Sequence, residues 1–114
     1  YTPLESVAFH VPTITTDLAG FGLWVNSLKG SYSELKDGVK VIHRSDYNYS
    51  EVADVIKDNI SVFSGMSDTE IKVIRKRAAD IAEKALWKHF IKYYYEAYDV
   101  ALRNAQKRLL LGEN

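Results

Sequence analysis

The sequence predicts an α/β fold, helix-rich and with few parallel strands, in which a small sheet occupies the first part of the chain and helices the rest. Three observations predict it. Residues 11–17 (VPTITTD) and 39–44 (VKVIHR) are short β-branched runs bounded by turn residues. The segment between them opens with glycines and then turns apolar, as a helix does. From residue 50 onward, apolar residues recur every three or four positions. Two strands joined through a helical segment make a parallel βαβ unit, for which a right-handed crossover is the rule.

The elements follow in order. Thr2-Pro3-Leu4-Glu5 places a hydroxyl residue three positions before a glutamate with proline between, the pattern of a capping box with Pro at the first helical position. A short helix is expected through about Phe9. The first strand ends near Asp17. Residues 19–28 (AGFGLWVNSL) read as a glycine loop at Gly20 and Gly22 leading into a short helix, and residues 31–38 as a polar, mobile connection. After the second strand, Val52, Val55, Ile56, Ile60 and Phe63 share one helical face, and Gly65 ends that helix. Ser67 to Glu70 is a second capping box, opening a helix lined by Ile71, Ile74, Ala78, Ile81 and Ala82. Trp87 marks a break before a last, aromatic-rich helix over 87–108. Two strands alone leave unpaired edges, so the remaining strands are expected from upstream sequence or from a second copy of the chain. The chain opens at Tyr1, inside a helix-start signal, which reads as a piece of something longer.

Composition removes several function classes. Fifteen basic residues are balanced by 15 acidic ones, so no net field holds nucleic acid or an anionic membrane. The absence of cysteine excludes disulfide frameworks, thiolate nucleophiles and Cys-based zinc sites. His10, His43 and His89 are widely separated and show no metal-ligand spacing, so no metal is expected. No apolar run approaches the ~20 residues that span a bilayer, and a cytoplasmic location is expected.

In open α/β sheets, ligands sit beyond the carboxyl ends of the strands, and anions are drawn to helix N-termini. The helix beginning at Thr2 supplies such a terminus. A diphosphate there would accept hydrogen bonds from the N–H groups and hydroxyl near Thr2, and Glu5 would accept from ribose hydroxyls. The capping box alone accounts fully for Thr2 and Glu5, and on spacing alone it is the favoured reading.

Residues 1–22 (YTPLESVAFHVPTITTDLAGFG) resemble the block of glycogen (starch) synthases that runs from a glutamate through Tyr-Thr-Pro to a second glutamate, and closes with Pro-x-Ile-x-Thr-x-Leu-x-Gly-Phe-Gly. Residues 74–102 resemble that family's closing segment: a basic cluster, then Trp87, Tyr93 and Tyr94, Ala97, Ala101 and Leu102. The resemblance implies the C-terminal part of a Rossmann-like, GT-B type glycosyltransferase domain. Residues 1–48 would end the nucleotide-sugar-binding domain, and 49–114 would be helices packing on the sheet and on the other domain. It implies retaining transfer of glucose from UDP-glucose or ADP-glucose to an α-1,4-glucan, without a cofactor, by the full-length enzyme; a homo-oligomer, or pairing of the isolated chain with a second copy, is expected separately from the unpaired sheet edges. Glu5 would be the second glutamate, binding the ribose; the first, catalytic one would precede Tyr1, leaving the isolated chain silent. Tyr1 and Thr2 would contact the donor phosphates, and Gly20, Phe21 and Gly22 would line the donor–acceptor cleft. His10 stands where relatives carry a glycine, which implies a left-handed turn there. The alternatives are another retaining nucleotide-sugar transferase and a non-catalytic glucan-binding or assembly module.

In eukaryotic members of that family the basic cluster senses a sugar phosphate. Here Lys72, Arg75, Lys76 and Arg77 form a thinner cluster that reads first as a solvated helix face. Tyr94 and Tyr98 share a face with Phe90 and Ile91, the pattern of a helix packed on another domain rather than of a sugar platform. Phe21 and Trp24 are better placed to meet a ligand, with core packing the alternative for Trp24.

Overall fold

In the computed structural model, which describes residues 1–112, the first helix, α1, spans Thr2–Ala8 with Pro3 in its first turn. The missing N–H of proline costs nothing there. The cap differs from the expected box: Tyr1 is the N-cap, without a side-chain bond, and the Glu5 amide donates to the Tyr1 carbonyl at 2.9 Å. Thr2 is already helical, and a capping side chain needs an extended backbone at its own residue, so the box cannot form. The other end closes as a Schellman motif. The Val11 amide donates to the Ser6 carbonyl at 3.1 Å and that of His10 to Val7 at 3.0 Å, with His10 left-handed at φ 61°. The left-handed turn expected at His10 is present.

Strands β1 (Thr13–Thr16) and β2 (Val39–Ile42) pair in parallel, Thr13 opposite Val39 and Thr16 opposite Ile42. Both are shorter than the β-branched runs that predict them. Between them α2 spans Gly20–Lys29, so both glycines lie inside the helix and not in a loop before it. Packing explains this for Gly22: any Cβ there would run into the Thr16 carbonyl oxygen, and only glycine lets the helix start cross the strand end so closely.

Residues 31–38 are tightly tied rather than loose. Ser33 is buried; its hydroxyl donates to the Val39 carbonyl at 2.6 Å, and its amide donates to Asn26 Oδ1 at 2.9 Å. A 3-10 turn, Leu35–Asp37, follows, with Glu34 and Asp37 capping each other. Lys29 and Lys40 clamp Asp37 and Glu34 at 2.7 and 2.8 Å. These contacts join side chains several residues apart, which local polarity does not reveal.

Helices α3 (Tyr49–Ser64), α4 (Asp68–Lys84) and α5 (Trp87–Leu110) complete the chain. The core consists of Val7, Val25, Val39, Val41, Ala78 and Ile81, with Leu4, Phe21, Trp24 and Ala82 packed against it. The sheet is thus covered by α1, α2 and α4. On α3 only Val52 of the expected stripe is buried, while Ile56 and Ile60 are exposed, because two short strands offer too little surface to cover it. The chain divides into one unit of Tyr1–Glu83 and a second beginning at Lys84. Within the second, α5 has no buried residue, and Trp87 and Tyr94 lie ring to ring at 4.8 Å. The final two residues of the segment assigned to C-terminal helices, Glu113 and Asn114, lie outside the described residues.

Candidate functional site

A chain that runs helix, strand, helix, strand, helix around a parallel pair brings the strand carboxyl ends and the helix starts to one edge. Asp17, the residue after β1, is the hub of that edge. Its amide continues the ladder to the Ile42 carbonyl at 3.1 Å. One carboxylate oxygen accepts from the Arg44 amide at 2.9 Å; the other accepts from the Tyr32 hydroxyl at 2.9 Å and meets His43 Nδ1 at 2.8 Å. The Arg44 amide above all, then the His43 ring and the Tyr32 hydroxyl, hold the Asp17 carboxyl down to about 2 against the opposing effect of burial. The same contact raises the Tyr32 phenol, which stays protonated. An ionised carboxylate only accepts, so the proton of a neutral His43 ring sits on Nδ1, leaving Nε2 as the acceptor.

The loop after β2 is held by Asn48. Its Oδ1 accepts from the Ser45 amide at 2.7 Å and from Arg44 Nη1 at 3.2 Å, and its Nδ2 donates to the His43 carbonyl at 2.8 Å. The Arg44 guanidinium lies 5.9 Å from the Tyr49 ring centre. Tyr47, on this anchored loop, and Tyr49, the first residue of α3, are 97% and 75% exposed.

The residues singled out from the sequence divide into groups. Tyr1, Thr2 and Glu5 are exposed at the start of α1, and the Glu5 carboxylate has no hydrogen-bond partner among the described residues. Gly20 is exposed with open space beside it, at the start of a helix whose N-cap, Ala19, brings no side-chain bond. Phe21 and Trp24 pack against the core with ring centres 5.9 Å apart, and Gly22 is buried. The basic residues hold α4 in place. Arg75 Nε donates to the His10 carbonyl at 3.1 Å and Arg77 Nη1 to the Lys36 carbonyl at 2.7 Å, while Lys76 pairs with Asp80 along the helix at 3.3 Å. Arg75, Lys76 and Lys72 also line an open depression of about 650 Å³, facing Asp68 and Asp80.

Sequence reasoning missed the Asp17, Tyr32 and His43 cluster. The signal that locates it is positional: an acid directly after the first strand, and His-Arg directly after the second, both where parallel strands present their ligand-side residues.

A parallel pair wrapped by helices defines the class, an α/β protein with its polar residues gathered at the carboxyl edge. The glycogen synthase family model matches residues 1–111, and the chain belongs to that family. It is 27% identical over 113 residues to the glycogen [starch] synthase of Neurospora crassa, covering 99% of this chain and 16% of that protein. Isoform 1 of the Saccharomyces cerevisiae glycogen [starch] synthase is 27% identical over 116 residues, with the same coverage. The liver glycogen [starch] synthase of Mus musculus is 23% identical over 105 residues, 92% of this chain and 15% of that protein. The chain therefore spans about a sixth of the length of the curated relatives it matches. The family match also runs through residues 28–70, where the sequence offered pattern alone.

Proposed function

We propose that the full-length protein transfers glucose from a nucleotide-glucose donor to the non-reducing end of an α-1,4-glucan with retention of configuration, and that this chain supplies part of the donor site. The family match across residues 1–111 carries the reading. In this proposal the chain ends a GT-B type, Rossmann-like domain. The exposed start of α1 faces the donor: Tyr1 and Thr2 meet the diphosphate, and the unpartnered Glu5 carboxylate accepts hydrogen bonds from the ribose. Charge building on the departing diphosphate is met by fixed N–H groups and by basic residues elsewhere in the protein.

The test is incorporation of glucose into glycogen by the full-length protein, from UDP-glucose and from ADP-glucose, with Glu5→Ala alongside. Incorporation that falls at least about tenfold in the variant, mainly through a raised donor KM, supports both the activity and the Glu5 role. No incorporation from either donor removes the synthase reading.

A further inference from the structure

The turn that leads into β2 carries a chemistry that the donor site does not use. Asp37-Gly38 is the one Asp-Gly pair in the chain. We propose that this pair is a latent covalent modification site, where isoaspartate forms when Lys29 lets go of the Asp37 carboxylate, and that its formation releases α4 from the sheet.

In that reaction the Gly38 amide nitrogen is the nucleophile and the Asp37 side-chain carbon, Cγ, the electrophile. A bond forms between them, the amide proton leaves with the carboxyl hydroxyl as water, and a five-membered succinimide results. Water then returns to the ring. Cleavage between the Gly38 nitrogen and the former main-chain carbonyl leaves the backbone running through Cβ and Cγ, with the old carbonyl as the new carboxylate. No atom is gained or lost overall, and no oxidant is needed. Glycine favours the closure because no side chain shields its nitrogen.

The folded chain blocks each requirement of that step. Asp37 Oδ2 accepts from Lys29 Nζ at 2.7 Å and from the Glu34 amide at 2.9 Å, which turns the carboxylate back along the chain, away from the peptide that follows. The Gly38 amide is committed to the Leu35 carbonyl at 3.0 Å. Asp37 lies in the 3-10 turn, whose helical backbone angles keep the nitrogen out of line with Cγ. Burial pulls the Asp37 carboxyl upward, but the Lys29 ammonium and the Glu34 amide outweigh it and hold the group below its ordinary value. An ionised carboxylate has no hydroxyl to lose. Of these contacts, the Lys29 bond alone reaches in from another helix, the end of α2, on a side chain 34% exposed.

The position of the pair gives the reaction its consequence. Gly38, at φ 100°, sits where any Cβ would strike the Ala78 backbone of α4. Its carbonyl accepts from the Thr13 amide at 3.1 Å, at the start of the β1–β2 ladder, and Arg77 of α4 donates to the Lys36 carbonyl at 2.7 Å. An isoaspartyl linkage adds one methylene to the backbone here, and a seat without space for a Cβ has none for it.

The experiment stores the full-length protein at neutral pH and counts isoaspartate at residue 37, by peptide mapping and by methyl transfer with a protein-isoaspartate methyltransferase. Wild type is compared with Lys29→Ala, Lys29→Arg and Lys40→Ala, and with a free peptide of residues 31–44 as the unfolded reference. Wild type is expected to isomerise at least about tenfold more slowly than the peptide, and Lys29→Ala several-fold faster than wild type. Lys29→Arg restores the clamp, and Lys40→Ala removes only the neighbouring pair with Glu34, so both should match wild type. Wild type as fast as the peptide, or Lys29→Ala no faster than wild type, overturns the proposal. Equal acceleration in Lys29→Ala and Lys40→Ala also overturns it, since general loosening of the segment then suffices. In stored Lys29→Ala, amide exchange along α4 should split into a protected population and an exposed one that matches the isoaspartate fraction; a single protected population overturns the release of α4.

Discussion

Asp17 gathers the Arg44 amide, the Tyr32 hydroxyl and the His43 ring onto two oxygens, and its folded titration near 2 lies below the ordinary 3.8. A lowered carboxyl stabilises the fold above the unfolded value and loses that contribution as pH falls through the folded one. Asp17→Ala is therefore expected to destabilise by about 2 kcal/mol at neutral pH, since it strips an acceptor from a part-buried amide and two side chains. Thermal melts of wild type and variant should converge as the pH is taken from about 4 towards 2; a gap that stays constant would show that the charge is not the cause. Gly20 and Gly22 give a second contrast. Alanine at Gly20 meets open space in a helical turn and should stabilise by about 0.5 kcal/mol, whereas at Gly22 it meets the Thr16 carbonyl and should cost about 3 kcal/mol or more. Melting temperatures that move the same way in both variants would contradict the packing account of Gly22.

The element that best shows what local sequence can and cannot say is α4. Ser67 and Glu70 form the expected box in both directions: the Ser67 amide donates to Glu70 Oε2 at 2.8 Å, and the Glu70 amide donates to Ser67 Oγ at 3.2 Å. Its buried face, Ile74, Ala78 and Ile81, is the one that the three-and-four spacing predicts. The similar signature at Thr2 and Glu5 fails because α1 begins a residue earlier, so an identical local pattern has two outcomes set by where the helix actually starts. What keeps α4 against the sheet was not legible. Gly38, at φ 100°, lies so close that any Cβ would strike the Ala78 backbone, and Arg77 reaches the carbonyl of Lys36. The Asp17 cluster was hidden for the same reason, since its partners are 15, 26 and 27 residues away in sequence. Ser67→Ala is expected to cost about 1 kcal/mol by loss of a cap. Gly38→Ala should cost considerably more, through both its backbone angle and the contact with α4. Amide exchange should separate them, with Ser67→Ala fraying only the first turn of α4 and Gly38→Ala exposing the whole helix; equal protection along α4 in both would remove the close-approach argument.

At the scale of the whole molecule, the limiting feature is how little apolar surface the described residues manage to cover. The sheet has two strands, each of four residues, and both outer edges lack a strand partner among the described residues. Ile60 and Val62 on α3 are more than half exposed, and so are Trp87, Tyr93, Tyr95, Tyr98 and Leu102 on α5. Such edges and faces favour pairing with another chain over a stable monomer. Made by itself, the 114-residue chain is expected to associate or to melt over a broad range while binding a hydrophobic dye. The same residues within the full-length protein should be protected from exchange along β1 and β2. Sedimentation and a thermal scan of the two proteins side by side decide the matter. A monomeric isolated chain with a sharp transition and no dye binding would mean that the core of Val7, Val25, Val39, Val41, Ala78 and Ile81 suffices unaided, and that the exposed faces are there for ligands rather than for the remainder of the protein.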